Sequence, residues 1–134
     1  MRNLNSNVLI QQALTSQTVQ TGTVTGAAVD TGVNGNNFRD VLFAVGSSTL
    51  TDGSYAFTVE ESDSSGSGYA AVDSSRVLGS LPTFAATDDD TWKSFGVRPT
   101  KRYVHLVITA TSATTGGKLY AVAVLASGSN HPVT

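Results

Sequence analysis

His105 and His131 are the only histidines in the chain, and a hydrolytic triad would need one of them within reach of a nucleophile and an orienting group. His105 stands inside an alternating run, beside Tyr103 and Val107, where a structural or interface role is the expectation. His131 is three residues from the end, a poor place to hold catalytic geometry. No serine lies in a Gly-x-Ser-x-Gly elbow, and cysteine is absent, which removes thiol nucleophiles, disulfides and thiolate metal sites. Glu60 and Glu61 are adjacent, so on a strand they point to opposite faces and cannot work as a paired acid and base. Asp88, Asp89 and Asp90 offer oxygen ligands to a hard cation, but three consecutive carboxylates also describe a solvated turn. In the loop that begins at Asp63, the twelfth position holds Ser74 where a calcium loop has Glu. Gly66-Ser-Gly68 is too short to cradle a phosphate. The residues thus predict no catalytic set, no metal and no cofactor.

Trp92 is the one aromatic placed as sugar-binding sandwiches place theirs, near a loop and flanked by charged residues. A carbohydrate-binding module would need several such rings on one surface. A lone Trp at a strand start otherwise plugs the edge of a core or belongs to a protein interface.

The elements that position these residues follow from composition. Sixteen Ser, eighteen Thr, thirteen Gly and seven Asn face only three Lys, two Glu and one Met, so straight-chain helix formers are nearly absent. Val outnumbers Leu sixteen to ten, which favours pleated, half-buried surfaces. A length of 134 residues is that of one domain. The formal charge of −2, without a basic cluster, argues against nucleic acid as partner. No apolar run has the length of a membrane span, and residues 1–15 lack a signal-peptide pattern. Synthesis in the cytoplasm, without membrane attachment, is expected.

Along the chain, residues 1–26 hold no aromatic and one charge, Arg2. Their apolar residues, among them Val8, Leu9, Ile10 and Leu14, cannot make a core of their own. They predict an arm that orders on a neighbouring subunit; with Trp92 they form the candidate interface. Residues 27–134 read as a sandwich domain. Strands are expected at 38–46, at 55–59 where Tyr55, Phe57 and Val59 alternate, and at 92–97, with weaker ones at 69–72 and 77–81. The clearest alternation runs over 101–111. After the Gly116-Gly117 turn, residues 118–126 are apolar on both faces, which predicts an inner strand of a sheet covered on both sides. The polar tail from Ser127 should lie outside the sheets. Short strands joined by Gly, Asn, Asp and Ser turns make an all-β antiparallel sandwich, jelly-roll-like or immunoglobulin-like, with an N-terminal arm.

Several segments carry a resemblance. Val29-Asp-Thr-Gly32, the stretch Thr51-Asp-Gly-Ser-Tyr-Ala-Phe-Thr-Val-Glu-Glu-Ser-Asp63, the strand at 101–111, the ending at 114–125 and a closing His131-Pro132 are together similar to small accessory head proteins of tailed bacteriophages. The likeness covers roughly residues 27–132. The family's usual basic residue after Tyr-Val is His105 here. The resemblance implies a capsid decoration, or cement, protein on the outer surface of the virion. Such a protein is a homo-oligomer, often a trimer, that bridges subunits of the major capsid protein and holds the shell against packaged DNA. A carbohydrate-binding or host-recognition module is the alternative.

Overall fold

A computed structural model describes residues 4–35 and 37–126, and among them the chain is a sandwich of two antiparallel sheets. After one helical turn, Leu4–Asn7, come β1 (Leu9–Val19), β2 (Gly22–Thr25), β3 (Val29–Asp30), β4 (Asp40–Leu50) and β5 (Ser54–Ser62). They are followed by β6 (Ala70–Ala71), β7 (Val77–Leu78), β8 (Thr83–Ala85), β9 (Trp92–Val97), β10 (Tyr103–Thr111) and β11 (Gly117–Ala126). One sheet has the order β1-β11-β4-β9-β7. The other has β2-β10-β5-β6, with β3 also on β10 and β8 also on β5.

Taking β2 and β3 as one strand and leaving out the two-residue β6 and β7, the chain crosses between the sheets at every step except from β5 to β8. The first strand pairs with the last, β2 and β3 with β10, β4 with β9, and β5 with β8. That nested order is a jelly roll, so of the two expected topologies the first is present. Alternation fills the space between the sheets. Phe43, Val45, Phe95, Leu119 and Leu125 face Tyr55, Phe57, Phe84, Leu106 and Ile108, all buried. Phe43 stacks on Phe95 with ring centroids 5.4 Å apart, and Phe57 packs on Phe84 at 5.7 Å.

The expected arm is corrected. Residues 9–25 belong to the sandwich, because their apolar side chains complete its core: Ala13, Leu14 and Val19 are buried and Leu9 packs against them. β1 is the edge of the five-stranded sheet, while β2 and β3 form the edge of the other. Gln11 joins the two edges, its amide donating to the Asp30 carbonyl at 3.0 Å and accepting from the Asp30 N–H at 3.1 Å. The N–H of Ala27 donates to the Ala13 carbonyl at 2.9 Å. Two register shifts, between Gln12 and Leu14 and between Leu14 and Gln17, twist this uncharged edge. Bulges and a covered carbonyl protect it from unwanted strand pairing. The tail from Ser127, with His131 and Pro132, and residues 1–3 lie outside the described residues.

At the opposite margin, Glu61 ties three segments together. Its carboxylate accepts two bonds from Arg76, at 2.7 and 3.0 Å, and two from Thr100, from its N–H and its hydroxyl, each at 3.0 Å. Burial raises the Glu61 pKa, but the Arg76 and Thr100 bonds outweigh it and hold the carboxyl below its ordinary value.

Candidate functional site

Strand alternation leaves each sheet an outward face, and the two differ. On the six-stranded sheet, Thr109 of β10 stands between Thr23 and Ala56, and Val107 between Thr25 and Thr58. Further along, His105 opposes Glu60. The His105 Nε2 lies 2.8 Å from the Glu60 carboxylate, and the Tyr69 ring stacks on the imidazole with centroids 3.7 Å apart. His105 is 7 % exposed, which agrees with the structural role expected of it. Glu61, one residue on, is buried and bonded by Arg76 and Thr100, so the two glutamates take opposite faces as their adjacency requires.

The five-stranded sheet is apolar outward. Register places Ile10 of β1, Val124 of β11, Leu42 of β4, Gly96 of β9 and Leu78 of β7 in one row across all five strands. Ile10 is 65 % exposed, and Leu42 and Leu78 are each 44 % exposed. The next row holds Gln12, Val122, Ala44 and Ser94. In a third, Gly46 lies between Tyr120 and Trp92.

Two strand glycines shape this face. A Cβ on Gly46 would sit 2.3 Å from a ring carbon of Tyr120 and 3.0 Å from one of Trp92, so only glycine lets both rings lie across β4. The rings pack at 5.2 Å, and the Tyr120 hydroxyl donates to the Ser47 carbonyl at 2.9 Å. Gly96 floors a shallow hollow of about 430 Å³ lined by Leu42, Leu78, Val124 and Ala126, with Asp40 and Arg98 at its rim.

The candidate interface residues therefore separate. Ile10 and Trp92 lie on this face. Leu14 is buried, Leu9 packs on the core from the inner side, and Val8, just ahead of β1, is half-buried. Trp92 does not plug the core; it is 59 % exposed, spread over β4 beside Tyr120. β11 is an inner strand, as its two apolar faces predict, but only its inner face is covered. Val122 and Val124 look outward and are partly exposed. Leu42, Leu78 and Tyr120 escape the sequence reading because their common face exists only through register. Gly46 and Gly96, inside apolar strand patterns, are the signal that could have found them.

The acidic turn is divided among backbone duties. Asp88 accepts from the Ala85 N–H at 2.8 Å and pairs with Lys93 at 3.4 Å, while Asp89 accepts from the Leu50 N–H at 2.7 Å. Among the described residues, no three His, Asp or Glu side chains lie together as metal ligands. No described helix is long and apolar enough to cross a membrane. Comparison with protein-family models, curated proteins and solved structures finds no match to this chain.

Proposed function

We propose that this protein is a structural component of a bacteriophage particle, a decoration or cement protein that binds the outer surface of the head. There it bridges subunits of the major capsid protein and stabilises the shell against the pressure of packaged DNA. The observation that carries the reading is the outward face of the five-stranded sheet. Single exposed apolar residues are ordinary, but an apolar row crossing five strands marks a contact surface. The core is complete without it, so these side chains do not serve the fold.

A jelly roll is used by capsid and lectin domains alike, so the fold does not choose between them. The resemblance of residues 27–132 to accessory head proteins favours the capsid. The protein's work on that reading is adhesive: apolar burial contributes roughly 25 cal/mol per Å², reduced by the cost of association. An oligomer touching several capsid subunits gains further through effective concentration.

The test is binding to undecorated heads. Purified protein mixed with empty shells should pellet with them at a fixed copy number and raise the temperature at which they rupture. Protein left in the supernatant at every ratio would refute the reading. Glycan binding that disappears with Trp92→Ala would replace it by the carbohydrate-recognition alternative, for which the Trp92–Tyr120 pair supplies the platform.

A further inference from the structure

We propose that a second copy of this chain covers the apolar face, in a two-fold pair whose axis runs along β4. This inference rests on reading the face as a contact surface, and not on the identity of the shell. β11 has the composition of a strand covered on both sides, and among the described residues the chain covers one side. On this proposal a second copy supplies the other layer.

The face is complementary to itself. β4 is the middle strand of five, so rotation about it exchanges β11 with β9 and β1 with β7. Along the apolar row, Leu42 then meets Leu42 of the second copy. Val124 settles over Gly96, into the 430 Å³ hollow, and Ile10 reaches Leu78. Two rows on, Trp92 of one copy faces Tyr120 of the other.

Charges follow the same symmetry. Lys118, exposed at the start of β11, comes opposite Asp90, whose N–H bonds Ser48 just ahead of β9. At the other end, Asp40 lies near the axis but is paired with Arg98 at 3.3 Å, so the two ion pairs meet at the rim without net charge.

The rows hold five, four and three residues, which at about 4.8 Å between strands and about 6.8 Å between rows present roughly 400 Å² per copy. The total of about 800 Å² is that of a small interface, which dissociates on dilution. One flat face per chain makes an isologous pair, and so a dimer in place of the trimer implied by the resemblance. The pair leaves the polar faces and loops of both copies turned outward, available for contact with a shell.

Sedimentation equilibrium of the full chain tests this. The expected mass is twice 13.8 kDa at concentrations up to roughly 100 μM, with dissociation on dilution. Leu42→Glu sets like charges against each other on the axis and should weaken the pair at least about 100-fold. Thr109→Glu, exposed on the other sheet, should leave it unchanged. Circular dichroism matching the unsubstituted chain excludes loss of fold as the cause. The chain has no cysteine, so Leu42→Cys introduces a single thiol. A bismaleimide spanning about 10 Å, the separation of packed sheets, should join two copies, and the same linker should fail with Thr109→Cys. A single-chain mass throughout, a trimer mass, or a dimer indifferent to Leu42→Glu would overturn the proposal. Shell binding by a monomer would defeat this inference and spare the capsid reading; a dimer that ignores shells would do the reverse.

Discussion

On the outer side of the six-stranded sheet, Thr23, Thr25, Thr58 and Thr109 lie beside the Glu60–His105 pair, whereas the outer side of the five-stranded sheet carries Ile10, Leu42, Val124 and Trp92. Both sheets bury inner faces of the same kind, so the fold places no demand that explains the difference. The polar face is lined by hydroxyls and by the Glu60–His105 contact and suits water or a polar partner. The apolar face is open, and glycines at positions 46 and 96 adjust its relief. Where two faces of one sandwich share a core but not a surface chemistry, the unfinished one is the working surface.

The margins sharpen this contrast. The six-stranded sheet is held at the end of β5 by the Glu61–Arg76–Thr100 cluster, so Glu61→Ala leaves a partly buried guanidinium without its carboxylate. A loss of about 3 kcal/mol is expected in urea unfolding. The five-stranded sheet relies on shape: Gly46→Val drives a side chain into Tyr120 and should cost about 2 kcal/mol. It should also displace Trp92 and change its fluorescence, which Glu61→Ala should not do.

Acidity should separate the faces too. The folded Glu61 carboxyl is held below its ordinary pKa, so its contribution is fully present above the unfolded value. That contribution is lost as pH falls through the depressed folded one. Stability followed by denaturation from neutral to acid pH should therefore decline over that window, and the decline should be smaller in Glu61→Ala. Contact through the apolar face involves no such group at its centre. Added sulfate should strengthen it, where an ion-paired interface would weaken, as sedimentation in increasing salt would show. The smallest effect belongs to the polar face, where Thr109→Glu should shift stability by no more than about 0.5 kcal/mol.

Much of the fold was legible from alternation. The strand expected at 92–97 is β9, and those at 55–59, 101–111 and 118–126 are the bodies of β5, β10 and β11. β1 was not legible, because its bulges break the two-residue period: apolar residues at 9, 10, 13, 14 and 19 match no single template. β4 runs on through Gly46, Ser47 and Ser48, a turn-like sequence, because Tyr120 and Trp92 need the glycine and Ser47 bonds the loop before β9. Of the working surface, the sequence yielded Ile10 and Trp92, and the double apolarity of β11 implied a cover. Which residues stand beside them depends on how β1, β4, β9 and β7 align, and pairing between distant segments is not written in either segment alone.

Trp92 is the only tryptophan and stands on the face in question, so its emission reports the central claim directly. In dilute solution it should be water-exposed and readily quenched by acrylamide. As the protein is concentrated, its emission should shift to the blue and quenching should fall. A Trp92 that stays equally open to quencher at every concentration would contradict the claim that this face is where the protein works.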